Sequence, residues 1–88
     1  MEMKLNELLA AVSVKSVVGP APEEVAIADV INDSRKAAPG VLFVAVRGVA
    51  VDSHKFIPDV VAAGAAAVVC EQLPAATDPS VAYVVVPD

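Results

Sequence analysis

The fold of this 88-residue chain is decided by residues 32–46, NDSRKAAPGVLFVAV, in which a polar turn leads through Pro39-Gly40 into an unbroken apolar run. The run from Val41 to Val46 is bounded by turn residues, which is typical of a central strand buried on both faces of a sheet. Asn, Asp and Ser hydrogen-bond their own backbone and favour the end of a strand. The stretch therefore predicts two strands joined through a polar turn.

Apolar patterns on either side of this stretch predict the remaining elements. Leu5, Leu8, Leu9 and Val12 recur at helical spacing, whereas the other apolar runs are short and rich in Val and Ala. The predicted elements are a helix over 4–12, strands over 14–18, 25–31, 65–70 and 82–86, and a helix from Phe56 to Val61 that ends before Gly64. We expect Asp52 or Ser53 to cap the second helix, with Pro58 in its first turn.

These elements predict one α/β domain over residues 1–88, built on a small mixed or largely parallel sheet flanked by helices. A chain this short buries a limited fraction of its surface, and its 57% hydrophobic content makes a core feasible. The apolar stretches 60–70 and 81–86 are shorter than the roughly 20 residues that span a bilayer. The start lacks the pattern of a secretory signal, so we expect a cytoplasmic protein with no membrane association.

Charge and cysteine usage narrow the classes of function. The formal net charge of −5 argues against nucleic-acid binding, which needs clustered Lys and Arg. Four of the six cations, Arg35, Lys36, Arg47 and Lys55, nevertheless lie between positions 35 and 55, and this local excess suits a diphosphate. The single Cys70 cannot form an internal disulfide and is predicted to be a core thiol.

The polar residues at the end of the second predicted strand are the first candidates for a ligand site. Ligands of open α/β sheets bind beside strand ends, and Asn32, Asp33 and Ser34 stand at such an end. Uracil presents an acceptor, a donor and an acceptor along one edge, which backbone groups and a hydroxyl can match. The alternative is a turn without a ligand, since these residue types are common in turns.

An ordered set of short motifs resembles the amino-terminal domain of the Mur ligase family, which builds the nucleotide-linked peptide precursor of the bacterial cell wall. The set consists of Asp33-Ser34-Arg35, Pro39-Gly40, Leu42-Phe43-Val44-Ala45, Gly48, Asp52-Ser53-His54, Phe56-Ile57 and Gly64-Ala65. Ser53 replaces the family's usual Gly, and Val41 replaces its usual Asp. A residue other than Gly tolerates positive φ poorly, so Ser53 is expected to shift the turn.

The resemblance implies which positions bind the substrate. Asn32 and Ser34 fall where the family contacts the uridine of a UDP-linked substrate, with Asn32 acting through its backbone. The loop residues Val49, Ala50 and Val51 fall where the family lines the nucleotide, mainly with main-chain groups. The supporting positions are Asp33, Arg35, Gly48, Asp52 and His54.

Two of the supporting residues carry alternative roles. Arg35 is predicted to pair with Asp33 or Asp52 and to hold the motif rigid; the alternative is a contact with the diphosphate. His54 could donate to a phosphate, although a lone histidine is more often structural. Lys36, Arg47 and Lys55 are interpreted as solvated charges.

No residue of the chain is assigned a catalytic role. The sequence contains no candidate metal site, no triad of Ser, His and Asp, and no G-x-x-x-x-G-K-[ST] loop for ATP phosphates. This chain alone is therefore expected not to hydrolyse ATP. The resemblance implies that ATP and Mg²⁺ are used by the remaining domains of the same ligase.

The resulting hypothesis is a domain that binds the UDP part of UDP-N-acetylmuramoyl-dipeptide. The start Lys4-Leu5-Asn6-Glu7-Leu8-Leu9 favours the family members that add the third peptide residue, meso-diaminopimelate or lysine. One alternative is the amino-terminal domain of the ligase that adds D-alanyl-D-alanine. The other is a non-catalytic interaction domain with a degenerate motif.

Overall fold

The backbone forms two sheets and two short α-helices in a computed structural model that describes residues 3–10, 12–45 and 53–87. In chain order the elements are β1 (Met3–Lys4), α1 (Leu5–Leu8), β2 (Ser16–Val18), β3 (Ala26–Ile27), β4 (Asp29–Ile31), β5 (Val41–Val44), α2 (Ile57–Ala62), β6 (Ala67–Cys70) and β7 (Ala82–Val85). Short 3₁₀ turns cover Pro22–Glu24, Ser34–Lys36 and Ser53–Phe56. No helix within these ranges is long and apolar enough to cross a membrane.

The larger sheet has five strands in the order β2-β7-β6-β5-β4. Strands β4, β5, β6 and β7 run parallel to their neighbours, whereas β2 pairs with β7 in the antiparallel sense. Strands β1 and β3 form a separate antiparallel pair. The prediction of a small mixed sheet flanked by helices is confirmed, and the carboxyl ends of β4 to β7 lie along one edge.

Both faces of the five-stranded sheet are covered. On one face, Ile57 and Val60 of α2 pack with Phe43, Val68 and Tyr83, and all five side chains are buried. On the other face, the fully buried Leu5 of α1 packs in a cluster that includes Leu42, Ala67, Ala82 and Val84. The alanines leave space for Leu5 to approach the sheet, which explains why an Ala- and Val-rich sequence forms this core.

Strand β5 confirms the prediction of a strand buried on both faces, because Phe43 belongs to one core cluster and Leu42 to the other. It is an interior strand, with β4 on one side and β6 on the other, while β6 occupies the middle of the sheet. The predicted strand extends to Val46, which lies outside the described residues. Cys70 is fully buried, as predicted, and burial raises the pKa of its thiol.

The predicted helix over 4–12 is wrong in length, because α1 covers only Leu5–Leu8. Its start is fixed by the Lys4 N–H, which donates to the Glu7 carboxylate at 3.1 Å. The Val12 N–H donates to the Leu9 carbonyl at 3.0 Å, three residues earlier, whereas an α-helix would pair it with the carbonyl four residues earlier. Val12 is 45% exposed and begins a stretch rich in β-branched residues, which disfavours continued helix.

The predicted strand over 25–31 is also wrong, because the chain passes from one sheet to the other within it. Ala26–Ile27 pairs with β1, and Asp29–Ile31 pairs with β5. Between them, the Ala28 N–H donates to the Gly40 carbonyl at 2.9 Å. Alternating apolar residues predict extended backbone, but they do not reveal which neighbour each half pairs with.

The remaining boundaries shift by a few residues. The predicted strands over 14–18, 65–70 and 82–86 are observed as Ser16–Val18, Ala67–Cys70 and Ala82–Val85. A 3₁₀ turn precedes α2, Pro58 lies in the first turn of α2 as predicted, and Gly64 follows its end. The two side chains predicted to cap α2, those of Asp52 and Ser53, are not among the side chains that the structure describes.

Gly19 is expected to be the least replaceable glycine of the sheet. Its φ is +104°, and a Cβ at this position would overlap the carbonyl oxygen of Val81. Gly19→Ala should therefore lower the free energy of unfolding by about 2–4 kcal/mol, since backbone strain and a clash with main-chain atoms add. Denaturant unfolding followed by circular dichroism measures this loss.

Gly40→Ala is the matched control for the clash. Gly40 has a φ of +84°, but its added Cβ would meet only the Ala28 Cβ at 3.4 Å, an ordinary contact. In this variant the free energy of unfolding should fall by only about 1–2 kcal/mol, because backbone strain is present without the clash. Equal losses in the two variants would contradict the predicted overlap with Val81.

Candidate functional site

A cavity of about 320 Å³ lies at the carboxyl ends of β4 and β5 and is lined by Val30, Ile31, Asn32 and Val44. The parallel pairing of these strands places Ile31 opposite Phe43, so Asn32 lies near Val44 at the same edge of the sheet. Ligand sites of open α/β sheets occupy this edge. The geometry thus brings the predicted residue Asn32 to an apolar cavity with a polar rim.

A rigid turn follows the cavity. Asp33 caps the 3₁₀ turn Ser34–Lys36, because its Oδ1 accepts from the Arg35 N–H at 2.9 Å. The Arg35 guanidinium returns to the same carboxylate, with Nε at 3.1 Å from Oδ1 and Nη2 at 2.8 Å from Oδ2. The carboxylate therefore accepts from both the backbone and the side chain of one residue.

The sequence predicted that Arg35 pairs with Asp33 or Asp52, and the pair with Asp33 is the one observed. Side-chain hydrogen bonds from Arg35, followed by its backbone N–H, lower the pKa of Asp33 from 3.8 to about 2. The pair also raises the pKa of Arg35. Arg35 is 88% exposed, so the ion pair lies in high dielectric and its main effect is to fix the conformation of the turn.

The side chains of the two predicted uridine-contacting residues make no hydrogen bond within the described part of the chain. Asn32 is exposed and Ser34 is half-buried, and neither side chain hydrogen-bonds another described residue. Asn32 lines the cavity, whereas Ser34 is not one of its lining residues. Ser34 instead opens the 3₁₀ turn, and its carbonyl accepts from the Ala37 N–H at 3.1 Å.

His54 lies at the same edge of the sheet but makes a structural contact. Its Nε2 accepts from the Glu71 N–H, immediately after β6, at 3.0 Å. An imidazole nitrogen that accepts this bond carries no proton, so Nε2 does not serve there as a donor to a phosphate. The structural interpretation of His54 is the one that the geometry supports.

Five predicted positions lie outside the described residues: Gly48, Val49, Ala50, Val51 and Asp52. Arg47 lies there as well. Lys55 is exposed, and its Nζ lies 5.2 Å from the centre of the Phe56 ring. Lys36 is also exposed, so both described lysines of the basic segment are surface charges, as predicted.

Sequence reasoning missed the apolar lining of the cavity, namely Val30, Ile31 and Val44. Val44 lies two residues after Leu42, so strand alternation places both side chains on one face. That period could have identified Val44 as a residue beside Asn32 once β4 and β5 were paired. Val30 lies on β4, an edge strand of the sheet, and is 49% exposed.

A larger cavity of about 440 Å³ lies between α2 and residues 76–79, beside Tyr83. Its charged residue, Asp78, accepts hydrogen bonds from the Ser80 N–H and Oγ at 2.8 and 2.6 Å. The Asp78 N–H donates to the Tyr83 hydroxyl at 2.9 Å. These polar groups already satisfy one another, so the smaller cavity at the strand ends is the better candidate.

Similar proteins were found at the level of sequence. The ligase named UDP-N-acetylmuramoyl-L-alanyl-D-glutamate--2,6-diaminopimelate ligase from Chlorobaculum tepidum is 56% identical over 62 residues, which is 70% of this chain and 12% of the relative. The protein of the same name from Chlorobium phaeobacteroides is 39% identical over 87 residues, 98% of this chain and 17% of the relative. The chain therefore spans less than a fifth of the length of these two relatives.

Solved structures show the same relationship at the level of fold. A crystal structure of MurF from Acinetobacter baumannii superposes with a TM-score of 0.81 and 27% identity, covering 100% of this chain and 18% of that one. MurF ligase from Thermotoga maritima in complex with ADP gives a TM-score of 0.58 with 29% identity over 66% of this chain and 13% of that one. The family profile described as "Mur ligase family, catalytic domain" matches residues 26–87. On the sequence match, the relatives and the shared fold, this chain belongs to the Mur ligase family.

Proposed function

We propose that this chain binds the UDP part of UDP-N-acetylmuramoyl-L-alanyl-D-glutamate for an ATP-dependent ligase that adds the third residue of the peptidoglycan precursor peptide. The observation that carries the proposal is the cavity at the carboxyl ends of β4 and β5, which has Asn32 on its rim. The names of the sequence relatives supply the class of substrate. Uracil is the part of that substrate whose size suits the cavity.

The volume limits what the cavity can hold. Ligand pockets commonly measure about 300–1,000 Å³, and a cavity of about 320 Å³ lies at the low end of that range. It suits a single base rather than a whole nucleotide sugar. In this proposal the uracil enters between Val30 and Val44, while the ribose and diphosphate extend outside.

The polar rim supplies the contacts that would distinguish uracil from other bases. The backbone at Asn32 offers a donor and an acceptor, and the Ser34 hydroxyl can serve as either. The Asp33–Arg35 pair holds the turn that contains Ser34 in one conformation. Ligand binding therefore loses less conformational entropy than it would with a flexible turn. Arg35 remains at the surface, within the locally basic segment that favours a diphosphate.

The segment that follows β5 is proposed to complete the site. Val49, Ala50 and Val51 are proposed to contact the nucleotide through main-chain groups, with Gly48 and Asp52 as supporting residues. This part of the proposal comes from the family resemblance at those positions. Main-chain contacts would explain how apolar side chains occupy positions beside a polar ligand.

The chemistry of amide formation is assigned to the remaining length of the ligase. No group of three or more His, Cys, Asp or Glu side chains that could hold a metal ion occurs within the described residues. The sequence also lacks a phosphate-binding G-x-x-x-x-G-K-[ST] loop. The residues present here therefore do not fit ATP and Mg²⁺, and the proposed role of this chain is to hold the distant end of the substrate.

The D-alanyl-D-alanine-adding ligase is a second candidate, because a solved A. baumannii structure named UDP-N-acetylmuramoylalanyl-D-glutamyl-2,6-diaminopimelate--D-alanyl-D-alanyl ligase has a TM-score of 0.80. Its identity to this chain is 27%, compared with 56% for the C. tepidum relative. The sequence relationship therefore favours the ligase that adds the third residue. Both candidates act on a UDP-linked substrate.

The Asp33 carboxyl should titrate far below its ordinary pKa. In the folded chain the pKa of Asp33 is lowered from 3.8 to about 2, so its pairing with Arg35 stabilises the fold above pH 3.8. This stabilisation is lost as the pH falls through about 2. The ¹³C shift of the Asp33 carboxyl, followed from pH 6 to pH 1.5, should show this midpoint. In Arg35→Gln the midpoint should return toward 3.8, and an unchanged midpoint would contradict the assigned cause.

Titration of the ¹⁵N-labelled chain with UDP-N-acetylmuramoyl-L-alanyl-D-glutamate tests the site. Amide shifts should saturate at Asn32 to Arg35 and at Val44, with no response at Ser16–Val18 on the opposite edge of the sheet. ATP is the control nucleotide. Saturable shifts elsewhere, or none at millimolar ligand, would contradict the uridine site and favour the interaction-domain alternative.

Ser34→Ala should weaken this binding about fivefold to tenfold, since one hydrogen bond contributes about 1 kcal/mol. Ser16→Ala is the matched control because Ser16 lies on β2, the outermost strand of the same sheet on the side opposite β4. Dissociation constants from the amide titration provide the measurement. Equal affinities for the two variants would remove Ser34 from the site.

A further inference from the structure

An apolar groove adjoins the cavity at the strand ends, on the face of the sheet that α1 covers. It has a volume of about 340 Å³, and every side chain that lines it within the described ranges is apolar. Leu8, Leu9 and Val12 line it from the side of α1. The other side chains come from the sheet, from Val30 on β4 across to Val86, just after β7. The groove therefore suits an apolar group.

The groove and the cavity share two side chains, Val30 and Val44. The register pairs Val30 with Leu42, and Val44 lies two residues after Leu42, so these three side chains project from the same face of the sheet. Leu42 packs in the cluster that contains Leu5 of α1, which identifies that face as the one covered by α1. The cavity thus continues past Val30 and Val44 into an apolar space.

The chemistry of uracil decides which of its edges faces this space. O2, N3–H and O4 form the polar edge, and in the proposed complex they meet the backbone of Asn32 and the Ser34 hydroxyl. N1 carries the ribose, which extends outside the cavity. The remaining edge, C5–H and C6–H, has no strong hydrogen-bonding group. This edge therefore faces the apolar side chains of Val30 and Val44.

We propose that the groove is a subsite for an alkyl substituent at C5 of the uracil, so that the site accepts UDP and its 5-alkyl derivatives, 5-methyl-UDP included. The inference rests on the proposed function for the position of the base. An alkyl carbon at C5 leaves water and contacts apolar side chains, and each CH₂ that becomes fully buried tightens binding about fourfold. Proteins recognise the 5-methyl group of thymine by the same kind of apolar contact.

A series of ligands tests the subsite on the ¹⁵N-labelled chain: UDP, 5-methyl-UDP, 5-propyl-UDP and N3-propyl-UDP. We expect 5-propyl-UDP to bind about tenfold more tightly than UDP, with 5-methyl-UDP between them, because the added carbons enter the groove. The propyl group should also shift the amides of Leu9 and Val12, which UDP leaves unchanged. N3-propyl-UDP carries the same carbons on the polar edge and should bind at least about tenfold more weakly than UDP, since it loses the N3–H donor.

Val69→Phe is expected to fill the subsite without entering the base cavity. Val69 lies on β6 beside Val44 in the register, is half-buried, and lines the groove but not the cavity. In this variant 5-propyl-UDP should lose its advantage, while UDP keeps the affinity of the parent chain. Val18→Phe is the matched control, because Val18 lies on the outer strand β2 and lines neither space. It should change no affinity by more than about twofold.

The outcomes separate the subsite from the proposed function. If 5-propyl-UDP binds no more tightly than UDP, the groove does not receive the substituent and the subsite is wrong. The subsite is also wrong if the gain persists in Val69→Phe, or if N3-propyl-UDP gains as much, because the carbons then bind elsewhere. If Val69→Phe does not fold, unchanged amides at Leu9 and Val12 with 5-propyl-UDP overturn the subsite. If the parent chain binds none of the ligands, the proposed function fails and the subsite fails with it.

Discussion

The parallel hydrogen bonding of β4, β5, β6 and β7 is the constraint on which the rest of the molecule depends. Parallel pairing brings four carboxyl ends to one edge, and the register of β4 against β5 sets Asn32 beside Val44. A shift of one residue would turn the apolar side chains of β5 away from their clusters. The register is therefore fixed by burial, and the candidate site follows from the register.

Burial on both faces is possible because side chains of different size are divided between them. The face covered by α2 carries Phe43 and Tyr83, whereas the face covered by α1 carries Ala67 and Ala82. Large side chains fill the space below α2, and small ones let Leu5 approach the sheet closely. Each fully buried Val, Leu or Phe contributes about 1.5–3 kcal/mol, so this division allows a short chain to assemble a core.

The features that the sequence predicted correctly are those that depend on residues close together in the chain. The apolar run of β5 lies between turn residues and is buried on both faces, and the pairing of Asp33 with Arg35 joins residues only two positions apart. Both features depend on neighbours in sequence. The α/β class and the polar turn at the strand end could therefore be predicted.

Features that depend on distant partners could not be predicted from the same signals. The break at Ala28 exists because Gly40 accepts its N–H, and the early end of α1 leaves Val12 at the surface. The bond from Glu71 to His54 spans 17 positions and leaves no periodic trace in sequence. The cavity lining was missed for the same reason, because Val30 and Val44 meet only when two strands pair.

Net charge and local charge lead to opposite expectations for an anionic ligand, and distance decides between them. The chain carries a formal charge of −5, which on average repels a diphosphate. At physiological ionic strength the Debye length is about 8 Å, whereas the molecule extends over 33 × 25 × 23 Å. Acidic groups on the far side are therefore screened from the carboxyl edge of the sheet.

Charges near that edge matter more than the total. Asp33 lies between Asn32 and Ser34 of the proposed site, and its carboxylate is bonded by Arg35, so the pair is close to neutral. Lys36 is the next residue and is exposed. Under the proposed function, the Asp33–Arg35 pair both fixes the turn and neutralises a negative charge within the motif. An acidic chain can in this way present a site that accepts a UDP-linked substrate.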